Sequence, residues 1–229
     1  MRAGTFSSSN IYKLMTNGKA SDSLGKPALT YIEETRYEMR LGRSLNTDQS
    51  SRPALWGTFV ESYVNDHHIG LEYELASTER ITHSTMPRWT GAPDLIGNDC
   101  VGDIKCPQLK NFCELEKSFK NDSLREDFPE YYWQLVSNAI LTGKSHAELI
   151  VFCPYQEELD AIRSAALEQD DRRFHFIANA KDEELPYLIE GGYYKNVIRH
   201  KWQVTQTERD ELTNRVVLAT SILVTGLWA

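Results

Sequence analysis

Apolar positions along the chain follow two periods, and the change from one to the other lays out the predicted elements. Two polar stretches, NGKASDSLGKP (17–27) and GRSLNTDQSSRP (42–53), read as loops from their Gly, Ser, Asn and Pro content. Between them ALTYIEETRYEMRL has helical character. PALWGTFVESYVNDHH then places Trp56, Phe59, Val60, Tyr63 and Val64 at i, i+3, i+4, i+7 and i+8, the stripe of an amphipathic helix. Pro53 stands near its start, where a missing N–H costs nothing. Glu61 borders that stripe, about 60° around the helix from Val64 at about 100° per residue, so it can point into a cleft. From Leu71 to Lys105 the pattern shortens to strands: LEYELAS, ERITHST, and then DLIG and CVGDIK on either side of an Asn98-Asp99 turn.

Beyond Pro107, QLKNFCELEKSF and PEYYWQLVSNAILTG read as helices, the second apolar nearly all round and therefore buried. HAELIVFCP is a strong strand, YQEELDAIRSAALEQ has helical character and RRFHFIAN reads as a strand. TERDELTNRVVLATSILVTGLW is a long final helix starting near Thr205 or Thr207. Helices before, between and after strands predict an α/β fold, layered as one domain over 1–229. No stretch is apolar for long enough to span a bilayer.

Composition narrows the picture only a little. A 229-residue chain with 41% hydrophobic residues can bury a real core as one domain. A formal net charge of −8 does not advertise a nucleic-acid binder, but net charge governs solubility and steering more than it governs a local site. The opening MRAGTFSSSN lacks a secretory apolar run, and Cys100, Cys106, Cys113 and Cys153 are expected as reduced thiols in a cytoplasm. Their spacing lacks the close pair of an iron–sulfur motif, so buried thiols are the better reading. His67-His68 has no third ligand nearby and reads as a solvated helix end. Tyr131-Tyr132 and Tyr193-Tyr194 fit base stacking or packing equally well. The basic stretch KNVIRHKW (195–202) either faces a DNA backbone or is a solvated strand or loop.

The chemistry concentrates in GAPDLIGNDCVGDIKCPQ (91–108), which carries P-D-x8-D-x-K. Strand alternation sends Val101, Asp103 and Lys105 to one face, so Asp94 and Asp103 on neighbouring strands can converge on a hard cation that prefers oxygen ligands. The Ile104 side chain turns away and leaves its carbonyl as a further ligand. An ion held there turns water into a nucleophile, and Lys105 beside it can orient that water or stabilise charge developing on a phosphate. The competing reading is an ordinary hairpin with charges on its wet face. Glu61 from the preceding helix and Gln134, an amide in a buried helix that needs a partner, weigh toward the first. Taken singly, Glu61 is a wet helix edge and Gln134 a satisfied core amide.

The ordered set Trp56-Gly57…Glu61, Pro93-Asp94, Asp103-Ile104-Lys105-Cys106-Pro107 and Tyr131…Gln134 resembles the phage lambda exonuclease family of PD-(D/E)XK nucleases. Arg2-Ala3-Gly4-Thr5-Phe6-Ser7-Ser8-Ser9 resembles that family's N-terminal segment, whose arginine and last serine hold a 5′-terminal phosphate. The likeness runs from residue 2 to about residue 142. It departs at Asp103, where lambda exonuclease has glutamate, and at Val136, where the family often has a second glutamine.

The resemblance implies a restriction-endonuclease-like core, a central mixed β-sheet flanked by helices. It also implies a processive 5′→3′ exonuclease on linear double-stranded DNA that leaves 3′ overhangs for recombination with a single-strand annealing protein. In it Asp94, Asp103 and the Ile104 carbonyl would bind Mg²⁺, with two ions in play and Mn²⁺ able to substitute. Glu61 would serve the second ion or its waters, Lys105 would activate the nucleophile, and Gln134 would orient lysine or water. Arg2 and Ser9 would anchor the 5′-phosphate. A homotrimeric ring with a basic channel would reconcile DNA binding with the acidic total, in a phage- or prophage-encoded protein of a bacterial cytoplasm. Two other readings stay open: an endonuclease of the same fold, site- or structure-specific, and a non-catalytic DNA-binding protein.

Overall fold

A computed structural model describes residues 3–20, 23–45, 51–67, 73–75 and 80–225. The chain begins with strand β1 (Phe6–Ser7) and a 3-10 helix (Ser8–Met15), then helices α1 (Lys26–Leu41) and α2 (Arg52–His67). Short strands β2 (Glu74–Leu75), β3 (Ile81–Thr82), β4 (Trp89–Gly91) and β5 (Leu95–Ile96) lead to β6 (Cys100–Lys105). Helices α3 (Leu109–Asn121), α4 (Leu124–Asp127) and α5 (Pro129–Thr142) precede strand β7 (His146–Phe152). Helices α6 (Leu159–Leu167) and α7 (His175–Asn179), strand β8 (Val197–Gln203) and helix α8 (Gln206–Thr225) complete it. Pro129 opens α5 at the first turn, where proline has no hydrogen bond to lose, and Gly143 ends it in the left-handed region at φ 70°.

A five-stranded mixed sheet in the order β2-β5-β6-β7-β8 forms the centre, and a small sheet, β1-β4-β3, stands beside it. β6 and β7 pair in parallel, with Asp103 opposite Leu149 and Lys105 opposite Val151; the other pairs of the large sheet are antiparallel. Both central strands are buried on both faces, as a parallel pair between helix layers must be. One face carries Val101, Ala147, Leu149 and Val151 against residues of α1, α3, α5, α8 and the N-terminal 3-10 helix. The opposite face carries Leu95, Ile104, Cys106, Ile150 and Phe152 against α2, α6 and α7. The predicted α/β fold, a mixed sheet flanked by helices, is therefore the one observed. Among the described residues no helix is long and apolar enough to cross a membrane.

One prediction is corrected. RRFHFIAN is not a strand: Arg172–Phe174 is a 3-10 turn running into α7. Asp171 caps that turn by accepting the Arg173 N–H (3.0 Å), and the buried Ile177 and half-buried Phe174 lie three residues apart, one helical face. Phe174 packs on Phe59 of α2 with ring centroids 5.3 Å apart. The alternating aromatics imitated a strand, and the aspartate cap was the contrary signal. Most of LEYELAS, together with His68 and the last four residues, lies outside the described residues.

The N-terminal segment, read from sequence only as an anchor, is core. Phe6, Ile11 and Leu14 are fully buried, and a buried polar chain ties the segment to α5. Ser8 and Ser137 share a hydroxyl–hydroxyl bond of 2.8 Å, and Trp89 Nε1 donates to Ser137 Oγ at 2.8 Å.

Candidate active site

Antiparallel pairing sets Leu95 opposite Gly102, so the residue before β5, Asp94, falls opposite Asp103. Eight intervening residues are what a two-residue strand, a turn and the first half of β6 require. Because β5 is so short, the Ile104 N–H on its side is taken by a side chain: it donates to Asp94 Oδ2 at 2.9 Å. That bond pins the first carboxylate against β6.

Asp103 is fully buried. Its Oδ1 accepts from Gln134 Nε2 at 2.7 Å, across from α5, and its Oδ2 faces the Lys105 ammonium at 2.5 Å. Lys105 Nζ also donates to the Ile104 carbonyl at 3.0 Å and lies 5.7 Å from the centroid of the Tyr131 ring. Gln134 thus holds the carboxylate rather than the lysine. Glu61 reaches the group from α2, close enough to feel both Lys105 and Asp94.

The electrostatics follow from crowding three carboxylates around one cation away from water. Burial pushes the Glu61 carboxyl up to about 7, Lys105 pulls it back, and Asp94 raises it further. Burial likewise raises Asp103 well above the usual carboxylate range, opposed chiefly by Lys105. Burial favours the neutral amine of Lys105, but Asp103, Glu61 and Asp94 outweigh it and hold the proton on. In this arrangement the ammonium is a cation that faces Asp103 and donates to the Ile104 carbonyl. Burial raises the Cys106 thiol far above neutrality, which makes it packing, not a nucleophile.

Asp94, Asp103, the Ile104 carbonyl, Lys105, Glu61 and Gln134 are thus brought together. Ser9 sits on the N-terminal 3-10 helix, exposed, with its hydroxyl 3.2 Å from that of Ser7. Arg2 lies outside the described residues. The small sheet ties the segment to the strand that leads into Asp94, since Ser7 pairs with Thr90, four residues before it. KNVIRHKW forms the edge strand β8, where Arg199 pairs with buried Glu148 and Lys201 lies 3.9 Å from Asp99. Tyr132 stacks on Trp202, while Tyr193 is largely exposed. The four cysteines are free thiols. Tyr131, read from sequence as a base-stacking or packing residue, faces the Lys105 ammonium; its place three residues before Gln134 puts both on one helical face.

The donor set suits a hard divalent ion: carboxylates and a backbone carbonyl, with Asp103 Oδ2 facing the ammonium as its counter-charge. Among the described residues no three carboxylate, imidazole or thiol side chains already stand close enough to grip one. Here the lysine ammonium occupies their midst.

The chain superimposes on the alkaline exonuclease LHK-Exo from Laribacter hongkongensis with a TM-score of 0.66 at 17% identity, covering 99% of this chain and 91% of that one. It matches the complex of LHK-Exo with dAMP at a TM-score of 0.65. A phage-related exonuclease from Haemophilus somnus 129PT matches at 0.59 and 14% identity, over 96% of this chain and 93% of that one. The chain has the fold of these exonucleases. No protein-family model matches the sequence, and no curated protein sequence does. At these identities the likeness is one of architecture, and the chemistry rests on the residues described above.

Proposed function

We propose that this protein is a Mg²⁺-dependent exonuclease that degrades one strand of linear duplex DNA from its 5′ end. The observation that carries the reading is the buried Asp103, held by Gln134 and paired with Lys105, directly across the sheet from Asp94. The exonuclease fold of LHK-Exo and of the phage-related enzyme supports it.

Asp94, Asp103, the Ile104 carbonyl and Glu61 would hold the Mg²⁺ ions, with Mn²⁺ able to substitute. When bound, such ions supply activation of water and neutralise charge on the leaving oxygen. Gln134 fixes the plane of the Asp103 carboxylate. Glu61, raised to about 7, gives up its proton at neutral to alkaline pH and then offers a full negative charge. Lys105 keeps its proton and stabilises negative charge developing on the phosphate. Ser9, with Arg2, would hold the 5′-phosphate. Processive digestion through a homotrimeric ring, 3′ overhangs and transfer to a single-strand annealing protein complete the proposal, in a phage- or prophage-borne recombination system of the bacterial cytoplasm.

The test uses linear duplex carrying a 5′-phosphate and a separate label at each terminus, beside closed circular duplex. Loss of the 5′ label first, with the circle intact, is expected in Mg²⁺. Lys105→Ala should abolish cleavage and retain DNA binding. Cutting of the closed circle would make the protein an endonuclease of this fold. Binding without cleavage in Mg²⁺ or Mn²⁺ would leave only DNA binding.

A further inference from the structure

Besides the nearby carboxylates of Glu61 and Asp94, the Lys105 ammonium meets two oxygens that the nuclease reading requires for a divalent ion, Asp103 Oδ2 and the Ile104 carbonyl, and the face of the Tyr131 ring. Those oxygens cannot serve an ammonium and a doubly charged ion together without bringing the cations into repulsive contact. The face of the Tyr131 ring attracts an ammonium through its quadrupole but offers nothing to a hard ion that demands oxygen. The ring is braced, stacked on Phe128 at 5.9 Å between centroids with the planes 8° apart. It also rises from the helical face that carries Gln134, so one face of α5 supplies both the partner of Asp103 and a seat for the lysine.

We propose that Tyr131 is a positioning residue, whose ring holds the Lys105 ammonium when the oxygens of Asp103 and Ile104 take a divalent cation. The inference rests on the nuclease reading. It makes the ring part of metal binding without contact to the metal: a better seat for the ammonium lowers the cost of clearing the ion's oxygens. It also keeps the charged end of Lys105 beside the reacting phosphate instead of letting it swing to solvent.

The test replaces Tyr131 by phenylalanine and then by mono- and trifluorophenylalanine, which drain electron density from the ring face while preserving its shape. Mg²⁺ affinity is measured by calorimetry without DNA, and kcat and KM on linear duplex. Phenylalanine should match wild type. Fluorination should weaken Mg²⁺ binding and lower kcat in steps, reaching roughly three- to tenfold, with KM unmoved. In wild type carrying ¹³Cε-lysine, Mg²⁺ should move the Lys105 ε-methylene further into the ring-current field of Tyr131. A flat fluorine series, or an ε-methylene leaving that field on Mg²⁺ addition, would overturn the role of Tyr131 while the nuclease stands. A wild type that neither binds Mg²⁺ nor hydrolyses duplex would remove the nuclease reading and this inference with it.

Discussion

Gln134→Leu isolates the contact on which the buried carboxylate depends. Gln134 Nε2 is the hydrogen-bond donor to Asp103 Oδ1, at 2.7 Å, and Asp103 has no exposure to recruit water in its place. Leucine approximates the volume of glutamine and leaves the α5 backbone alone, so the change removes the donor and little else. Hydrogen bonds to charged groups contribute about 1.5–3 kcal/mol, and a buried acceptor left unmade incurs its desolvation cost as well. A loss of about 2 kcal/mol of stability is expected. At an m-value of about 2 kcal/mol/M in urea this moves the midpoint down by about 1 M, readily measured by fluorescence. The same loss at Asp103 raises its carboxyl further, so cleavage should also fall. A double-mutant cycle sharpens the test: in an Asp103→Leu background, Gln134→Leu should cost less than about 0.5 kcal/mol, because the contact is already gone. Equal losses in both backgrounds, or a wild-type midpoint in the single variant, would refute the view that Gln134 is there for Asp103.

Three further outcomes follow from the same geometry. In chelator, Glu61 binds a proton more tightly when folded, at about 7, than at its ordinary 4.5; its contribution is full below 4.5 and is lost as pH rises through 7, by about 3 kcal/mol. Urea midpoints should therefore fall from pH 5 to pH 8 for wild type and fall less in Glu61→Gln, where raised Asp103 still contributes; a wild-type midpoint that rises with pH contradicts the burial account. Gly91→Ala would drive a methyl into the Ser8 hydroxyl, the Asn138 amide oxygen (2.5 Å) and Leu141 Cδ1 (2.7 Å), all in a buried seam, costing about 2 kcal/mol. A melting temperature unchanged from wild type would count against that packing. Arg199→Met removes the guanidinium that donates to buried Glu148 and leaves Tyr73 supporting it, a loss of about 2 kcal/mol after allowing for the partly exposed arginine. Wild-type stability there would mean the pair is no more than a surface contact.

What could be read before folding was whatever depends on neighbours in sequence. The stripe of Trp56, Phe59, Val60, Tyr63 and Val64 predicted a helix with one buried face; all are buried except Tyr63, which is partly buried. Alternation in CVGDIK put Asp103 and Lys105 on one side of a strand, and the turn at Asn98-Asp99 put Asp94 within reach. Local pattern failed where it was ambiguous, as in RRFHFIAN, whose apolar spacing fits either period until α2 supplies the surface that selects the helix. It was silent on Phe6–Met15, where no periodicity reveals that a short polar-looking segment will be roofed by α5 and α1.

The sequence by itself determined the element pattern and the set of side chains able to meet. Both follow from backbone geometry that repeats every two or 3.6 residues. Only the tertiary structure decided that Asp103 would be wholly buried. That burial comes from parallel pairing with β7, 46 residues downstream in register, and from α5 closing over the strand. It also decided where the proton on Glu61 resides and what surrounds the lysine, because desolvation and Coulomb energies depend on every element packed around a group. A motif names the charges; the fold sets the dielectric in which they act.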